Sequence, residues 1–198
     1  MEIVKTNSGD LILLQKIAEE IKNCKKCPLF KERKNAVPGE GNIDKKIVIV
    51  GEAPGYNEDI MGRPFVGKAG KLLDDFIKFI GVERKDIFIT NVVKCRPPNN
   101  RQPEKIEIEA CFDYLERQIN VIKPRLIICV GNIAASTLFH KFGLEFKSMN
   151  KQHGIVYSIS NLQIQLKLVA TYHPAAILRN PNLLNLVKED WERIKEVI

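Results

Sequence analysis

Long apolar runs are missing from this sequence. No stretch of its 198 residues approaches the roughly 18 uninterrupted apolar residues of a membrane span, and the amino end, Met1 to Lys5, lacks a signal peptide's apolar region. Internal repeats, linkers and low-complexity tracts are absent too. With 44% hydrophobic and 28% charged residues, a disordered or fibrous chain is excluded. These features predict a soluble intracellular protein, without membrane contacts, that folds as one domain over residues 1–198.

Acidic residues are in the minority among the charges. The chain has 24 Asp and Glu against 31 Lys and Arg, which gives a formal net charge of +7 at pH 7. A basic surplus favours polyanionic partners, because each neutralised phosphate releases counterions. By itself this charge balance is only a weak indication of nucleic acid.

Short apolar runs predict strands buried on both faces. They are Ile47–Val50, Ile87–Thr90, Leu126–Val130 and Leu166–Ala170. Amphipathic segments predict helices at about 11–24, 68–80, 103–122, 132–142 and 182–197, and the less regular segment 144–164 is interpreted as a hairpin. Strands that alternate with helices indicate an α/β fold of three layers, α/β/α, around a central, mainly parallel four-stranded sheet.

Ligands of such sheets bind beyond the carboxyl ends of the strands. The predicted strands end at four loops, which are Gly51–Gly55, Asn91–Arg96, Gly131–Asn132 and Tyr172–His173. We therefore expect these four loops to form one site.

Cysteine is scarce, with five in the chain. Cys129 lies inside a predicted strand and is interpreted as a small buried hydrophobic residue. Cys24 and Cys27 form a CxxC pair at a helix end, Cys95 follows a strand, and Cys111 lies on the next helix. Spacing alone leaves three interpretations open: inert thiols or disulfides, a structural zinc site, and an iron–sulfur cluster, which tolerates varied spacing.

Two segments imitate phosphate-binding loops. Residues 62–69 fit GxxxxGK, but Ala69 stands where a magnesium-binding hydroxyl is needed, and a loop rather than a strand precedes them. Residues 51–55 follow a strand but lack GxGxxG spacing, and Pro54 removes a backbone donor. Both nucleotide-binding hypotheses are therefore disfavoured.

Four blocks together resemble the family 4 uracil-DNA glycosylases, the iron–sulfur type of thermophilic archaea and bacteria. They are Gly51–Gly55 with Glu58-Asp59, Gly62–Gly70, Thr90–Pro97 and His173–Ala176. The resemblance covers the chain from Cys24 to the last helix. It implies a sheet flanked by helices and a structural [4Fe–4S] cluster held by Cys24, Cys27, Cys95 and Cys111, with no role in the chemistry. It also implies a cytoplasmic, nucleoid-associated prokaryotic DNA-repair protein.

The resemblance also implies roles for individual residues at the base. Phe65 would stack on uracil, Asn91 would read the O4 and N3 edge, and His173 would face O2. Glu52 takes the place of the catalytic acid, and Glu58 would stand near C5, where thymine has a methyl group. Gly51 and Ala53 complete the implied uracil site.

This sequence departs from the first motif of the family 1 enzymes, GQDPYH. The Asp of that motif aligns with Ala53, and its methyl-excluding Tyr aligns with Gly55. Neither role can therefore be read directly onto those two positions.

Cleavage of an N-glycosidic bond leaves a cationic sugar and an anionic base. Backbone amides near Glu52–Ala53 and a neutral His173 can stabilise charge at O2, and Glu52 can orient or deprotonate the water. No lysine is marked for Schiff-base chemistry. The expected activity is a monofunctional glycosylase that leaves an abasic site.

Uracil must leave the base stack to be reached. The run of residues 175–179 is expected to fill the gap, with Ile177, Leu178 and Arg179 as the candidate wedge residues, and Tyr172 to line the same groove. Further DNA contacts are predicted at Lys68, Arg96, Arg101, Arg179 and the helix start at Asn132. The expected partner is uracil-containing DNA, single- or double-stranded, bound by a monomer, with a sliding clamp as a further candidate partner.

Two alternatives belong to other function classes. A non-catalytic nucleic-acid-binding protein with a structural cluster would leave Glu52, an acid on a DNA-binding face, unexplained. An iron–sulfur electron carrier would need a second cofactor motif, and the sequence shows none.

Overall fold

Six strands form the central sheet in this computed structural model, which describes residues 8–160 and 165–198. The strands are β1 (Glu40–Gly41), β2 (Ile47–Gly51), β3 (Phe88–Asn91), β4 (Leu126–Val130), β5 (Val156–Ser160) and β6 (Gln165–Thr171). Their order is β1-β3-β2-β4-β6-β5. The inner strands β3, β2, β4 and β6 are parallel, and the edge strands β1 and β5 are antiparallel to their neighbours.

Helices connect the strands. They are α1 (Ser8–Lys22), α2 (Tyr56–Met61), α3 (Lys68–Phe79), α4 (Lys105–Ile122), α5 (Asn132–Lys141), α6 (Met149–Gln152), α7 (Pro174–Arg179) and α8 (Leu184–Lys195). The helix α4 ends at Ile122, because Lys123 directly precedes Pro124 and a proline disfavours right-handed helical backbone at the residue before it. Gly81, just after α3, has a positive φ of 77°, which glycine adopts without steric cost.

The side chains of the sheet divide between two apolar layers, because successive residues of a strand point to opposite faces. Val48, Val50 and Ile127 pack into one layer together with residues of α1, α4 and α5. Ile47 and Ile49 pack into the other layer, with residues of α3, α7 and α8. The sheet is therefore covered on both faces, which explains why the central strands β2 and β4 are apolar throughout.

The structure confirms the predicted α/β fold with three layers and a mainly parallel sheet, and the four predicted strands are its inner strands. The sheet has six strands rather than the predicted four, because the antiparallel edge strands β1 and β5 lack the continuous apolar runs of the inner ones. β1 is only two residues long. β5 lies in the predicted hairpin 144–164 but pairs with β6 outside it, and residues 161–164 of that prediction lie outside the described residues.

The chain passes from β2 to β3 on one side of β2 and then to β4 on its other side. This reversal makes the carboxyl ends of β2 and β4 a topological switch point, where a crevice opens between the loops. A binding site is therefore expected at this edge of the sheet.

No helix within residues 8–160 and 165–198 is both long and apolar enough to cross a membrane.

Candidate functional site

A pocket of about 430 Å³ opens at the carboxyl ends of the parallel strands, a volume within the usual range for small-ligand sites. Residues from all four predicted loops line it. They include Glu52, Ala53, Glu58, Phe65, Asn91, Arg101, Asn132, Tyr172, His173 and Arg179. The structure thus brings together, in one concave site, side chains that lie up to 127 positions apart (179 − 52) in the sequence.

Glu52 follows the last residue of β2 and is half-buried in the pocket wall. Its backbone carbonyl accepts a hydrogen bond from the amide of Val93, which ties this loop to the loop after β3. Burial raises the pKa of the Glu52 carboxyl above its usual value, and the positive charge of Arg179 partly opposes the rise. A carboxylate with a raised pKa is a better proton acceptor than an ordinary surface glutamate.

Asn91 ends β3 and is paired with Gly51 at the end of β2. Its side chain is 2% exposed and lines the pocket. A Cβ atom on Gly51 would lie 2.4 Å from Asn91 Oδ1 and 2.5 Å from Phe65 Cζ. Only glycine at position 51 therefore lets the amide and the aromatic ring approach β2 so closely.

Phe65 is held in an unusual backbone conformation beside the pocket. Its φ is 50°, in the left-handed region, which costs a bulky residue about 1–3 kcal/mol. A Cβ on Gly70 would lie 1.8 Å from the Phe65 carbonyl oxygen, so α3 can pass only because position 70 is glycine. The Arg84 guanidinium donates to the carbonyls of Pro64 and Phe65.

The aromatic ring of Phe65 is thereby placed against His173, with ring centroids 5.5 Å apart and an interplanar angle of 26°. The side chain of Phe65 is only 6% exposed. Such a buried ring beside a pocket presents a flat apolar surface.

Glu58 lines the pocket but its carboxylate is occupied by backbone donors. One oxygen accepts from the amide of Gly55, and the other from those of Val66 and Gly67, at 2.9–3.1 Å. These bonds connect the first turn of α2 to the loop that carries Phe65. Glu58 therefore shapes the pocket, and its lone pairs are less available for a water molecule than those of Glu52.

His173 precedes α7, and its Nδ1 accepts a hydrogen bond of 3.1 Å from the Ala175 amide. An Nδ1 that accepts cannot carry the proton of a neutral imidazole, so that proton is on Nε2. Burial and the positive Arg179 lower the pKa of His173 to about 4. At neutral pH, His173 is therefore a neutral donor through Nε2.

Lys94 supports this site from beneath and was not identified from the sequence. It is 1% exposed, and its ammonium donates to the Asn91 carbonyl (2.7 Å), Thr90 Oγ1 (2.7 Å) and Gln118 Oε1 (2.8 Å). Burial lowers its pKa to about 7, opposed by the nearby thiols of Cys111 and Cys95. Arg84 was missed as well. Lys94 and Arg84 are two of the 31 Lys and Arg residues of the chain. Their burial and contacts depend on the fold, so no local sequence pattern distinguishes them from the other basic residues.

The exposed end of α7 lies at the mouth of the pocket. Leu178 is 51% exposed, and Arg179 lines the pocket, within electrostatic range of Glu52 and His173. Of the predicted wedge candidates, Ile177 is 5% exposed and packs into the apolar layer with α3 and α8. Within α7, Leu178 is therefore the apolar side chain available to DNA.

The remaining residues predicted to contact DNA differ in their exposure and in whether their side chains already bind other protein groups. Arg101 lines the pocket, but its guanidinium forms two hydrogen bonds with the buried carboxylate of Glu107, at 2.7 and 2.9 Å. Tyr172 donates through its hydroxyl to Asn150 Oδ1. Lys68 is an exposed residue that begins α3, Asn132 is an exposed residue that begins α5, and Arg96 is half-buried.

Four of the five cysteines lie together, away from the pocket. Cys24, Cys27, Cys95 and Cys111 belong to the apolar layer with α1 and α4, and electrostatic interactions connect their thiols. Burial raises the pKa of Cys27 and Cys95, and that of Cys111 to about 11. Cys129 is fully buried in β4, as predicted.

N–H groups point at these four sulfur atoms. The donors are the Lys26 amide to Cys24 (3.4 Å), the Leu29 amide to Cys27, the Arg33 guanidinium to Cys95 (2.9 Å) and the Lys94 amide to Cys111 (3.3 Å). Donors directed at sulfur favour the thiolate form, which is the form that binds metal. Arg33, which the sequence did not single out, also binds the carbonyls of Lys22 and Cys24.

The described residues contain no group of three or more His, Cys, Asp or Glu side chains close enough to hold a single metal ion. Ligands of a [4Fe–4S] cluster bind different iron atoms and stand farther apart than the ligands of one zinc ion. Four neighbouring cysteines, each with an N–H donor to its sulfur atom, therefore fit the larger [4Fe–4S] cluster.

Comparisons with known proteins identify relatives of the chain. The model of the uracil DNA glycosylase superfamily matches residues 38–195. The chain is 52% identical over 185 residues to a type-4 uracil-DNA glycosylase of Sulfurisphaera tokodaii, covering 93% of this chain and 84% of that protein. It is 48% identical over 184 residues to one of Archaeoglobus fulgidus (93% and 92%) and 43% identical over 188 residues to one of Thermotoga maritima (94% and 95%).

Proposed function

The chain belongs to the uracil-DNA glycosylase superfamily, among the type-4 enzymes, and on that premise we propose that this pocket hydrolyses the N-glycosidic bond of uracil in DNA and leaves an abasic site. The observation that carries the assignment is one juxtaposition. Glu52, Asn91 and His173 follow or end three different strands and line the same pocket. A carboxylate, an amide and a neutral imidazole are the groups that this reaction needs.

Base recognition is assigned to Asn91 and Phe65. The Asn91 amide can donate to O4 and accept from N3–H of uracil, whereas cytosine presents the opposite pattern at these atoms. Asn91 is buried and its backbone carbonyl is held by Lys94, so the amide extends from a fixed strand end. The buried ring of Phe65 provides the surface on which uracil stacks.

Thymine would be excluded at the turn before α2. Glu58 holds the Gly55 amide, and a Cβ on Gly55 would lie 2.8 Å from the Glu58 carboxylate. In this proposal Glu58, held by this compact turn, stands near C5 of the bound base, where the methyl group of thymine would collide with it.

His173 stabilises the departing base. As the bond breaks, negative charge develops at O2, and a preorganised neutral donor in a water-poor pocket strengthens its hydrogen bond to that oxygen. The Nε2–H of His173 is such a donor, because its Nδ1 is occupied by the Ala175 amide. Backbone amides near Ala53 add to this stabilisation.

Glu52 acts on the water and the sugar. Its carboxylate orients and deprotonates a water molecule that attacks C1′, and its negative charge favours the cationic sugar. Because the carboxylate of Glu58 already accepts three backbone hydrogen bonds, Glu52 is the acid free for this role. No lysine is required as a nucleophile, so the strand remains intact.

Cys24, Cys27, Cys95 and Cys111 would hold a [4Fe–4S] cluster. Such a group, when bound, supplies folding free energy rather than chemistry at the base. It would join the CxxC segment after α1 to the loop after β3 and to α4, and so support the strand end that carries Asn91.

The substrate is uracil-containing DNA. Leu178 is assigned as the side chain that fills the space left by the extruded base, since Ile177 is buried. Arg179 at the pocket mouth and Lys68 at the start of α3 are assigned to backbone phosphates. A monomeric state and binding to a sliding clamp stay predictions.

The experiment is an incubation of the purified chain with oligonucleotides that carry a single uracil, thymine or cytosine, followed by alkali. Strand cleavage at uracil alone, and only after alkali, is the expected result. Strands that stay intact after alkali, while the protein still binds them, would overturn the assignment and favour a non-catalytic DNA-binding protein.

A further inference from the structure

Arg96 lies next to the pocket, in the loop after β3. Its neighbour Pro97 lines the pocket, as do Asn100 and the Pro54-Gly55 pair that precedes Tyr56. The contact of Arg96 with Tyr56 therefore connects the loop after β3 to the start of α2. The sequence predicts that Arg96 contacts DNA, but it does not show which groups hold the side chain or which phosphate it binds.

Two contacts fix the Arg96 guanidinium. Its central carbon lies 5.1 Å from the centroid of the Tyr56 ring, within range of a cation–π interaction. Its Nε donates to Asn100 Oδ1 at 2.7 Å. Tyr56 is 57% exposed, so its ring and the guanidinium above it are accessible from solvent.

Asn100 is brought to Arg96 by a strained turn. Asn99 and Asn100 both have positive φ values, 53° and 55°. The backbone N–H of Asn100 donates to the Pro97 carbonyl. Asparagine tolerates this conformation better than most residues, but the strain still needs compensation. Here the turn brings the side-chain Oδ1 of Asn100 within hydrogen-bond distance of Arg96 Nε.

The remaining N–H groups of Arg96 have no protein partner within the described residues. Arg101, five positions on, differs, because its guanidinium is bound to the buried Glu107. A guanidinium that is held in place from one side and open on the other matches a phosphate, which accepts two parallel N–H bonds.

A nucleotide turned out of the stack has a phosphate on each side of its sugar. Arg179 and Lys68 are already assigned to backbone phosphates, and Arg96 is a further cation next to the pocket. We propose that Tyr56, Arg96 and Asn100 form a phosphate clamp for one backbone phosphate that flanks the target nucleotide. Arg96 makes the contact, and Tyr56 and Asn100 are positioning residues. The inference rests on the proposed function.

The test uses duplexes with a non-cleavable 2′-fluoro-deoxyuridine and a single neutral methylphosphonate, placed in turn at each phosphate around it. Binding is measured by fluorescence anisotropy at several salt concentrations. For the parent chain, one flanking methylphosphonate should weaken binding, and that same substitution should have no further effect on Arg96→Ala. The slope of log K against log salt should fall by about 0.9 in Arg96→Ala.

Tyr56 variants separate positioning from folding. Tyr56→Phe keeps the ring and should bind like the parent, whereas Tyr56→Ala should bind about 2- to 5-fold more weakly. This loss should disappear in the Arg96→Ala background. Arg96→Gln keeps a donor toward Asn100 without the charge, and should reproduce the lower salt slope if Arg96→Ala folds poorly.

Lys45→Ala is the matched control, since Lys45 is an exposed cation just before β2, at the opposite edge of the sheet. It should leave the methylphosphonate pattern unchanged. If the Arg96 variants keep the parent salt slope and the parent methylphosphonate pattern, the clamp is overturned. Uracil excision by the parent chain, assayed in parallel, shows separately whether the proposed function holds.

Discussion

At the scale of single residues, Glu52 and His173 share one pocket, but burial moves their pKa values in opposite directions. The pKa of the Glu52 carboxyl rises and that of His173 falls to about 4. Both shifts follow from the cost of a buried charge, which opposes the anion of one group and the cation of the other. At neutral pH, the pocket therefore holds a reactive carboxylate and a neutral donor, a division of roles found where two groups act as base and electrophile.

Glu52→Gln should retain binding to uracil DNA but lose about 10²- to 10⁴-fold in the single-turnover rate, as expected for a lost general base. In the parent, the rate should fall as pH decreases through the raised pKa of Glu52, because only the ionised form accepts a proton. This decrease in rate at low pH should be absent from Glu52→Gln. A variant within about three-fold of the parent rate would show that Glu52 does not activate water.

The same substitution should stabilise the fold. A carboxyl whose pKa is raised by folding binds its proton more tightly in the folded state, so ionisation at neutral pH costs stability. Glu52→Gln should therefore raise Tm at pH 7. The difference in Tm between Glu52→Gln and the parent should shrink as pH falls through the raised pKa of Glu52. It should vanish below the pKa of glutamate in the unfolded chain, about 4.3. Thermal melts across this range test it.

Asn91→Asp should depress uracil excision and admit slow release of cytosine. The carboxylate loses the donor to O4 but can accept from the cytosine amino group. A paired contact is worth about 1–3 kcal/mol, or about 5- to 150-fold in rate. The loss on uracil should reach the upper end, because a charged oxygen would face O4. Asn91→Ala is the comparison, and parent-like uracil excision by both variants would remove Asn91 from base recognition.

At the scale of elements, the inner strands and the long helices could be predicted because their sequence patterns are local. Ile47–Val50 and Leu126–Val130 are continuous apolar runs, and the observed strands are Ile47–Gly51 and Leu126–Val130. The edge strands could not be predicted in the same way. β1 has two residues, and the half-exposed β5 is defined by its pairing with β6.

The approach of α3 to the Phe65 loop gives an element-scale prediction. Gly→Ala inside a helix usually stabilises by about 1 kcal/mol. Gly70→Ala should instead destabilise by about 1–3 kcal/mol, because the new methyl group would overlap the Phe65 carbonyl. Uracil excision should fall with it. Denaturant unfolding checks the sign, with Lys71→Ala on the exposed face of α3 as the control. A stabilised, fully active Gly70→Ala would contradict this account of the loop.

At the scale of the whole molecule, the sequence predicted which loops meet but not what holds them. Parallel topology places the ends of β2, β3, β4 and β6 at one edge, and the pocket lies there. The roles of Phe65 and Asn91 came from resemblance to a family. The supports Lys94, Arg84 and Arg33 could not be found, because the burial of Lys94 exists only in the folded chain and because Arg84 and Arg33 bind groups distant in sequence, such as Glu40 and Cys95.

Cysteine convergence gives the whole-molecule prediction. Purified protein should be brown and contain about four irons per chain. Cys111→Ala should lower Tm and iron content more than it lowers the excision rate of the folded fraction, because free energy of metal binding is also free energy of folding. Zinc without iron in anaerobically prepared protein would contradict the assignment of the four cysteines.

The most direct test of the central claim is the single-turnover yield of free uracil and of intact abasic strand from a uracil duplex. The parent and Lys45→Ala should release one uracil per abasic site. His173→Ala should do so about 10²- to 10³-fold more slowly, with DNA affinity retained, because its hydrogen bond strengthens only as O2 becomes anionic. Release of uracil at the parent rate by both His173→Ala and Glu52→Gln would contradict the claim that this pocket performs the hydrolysis.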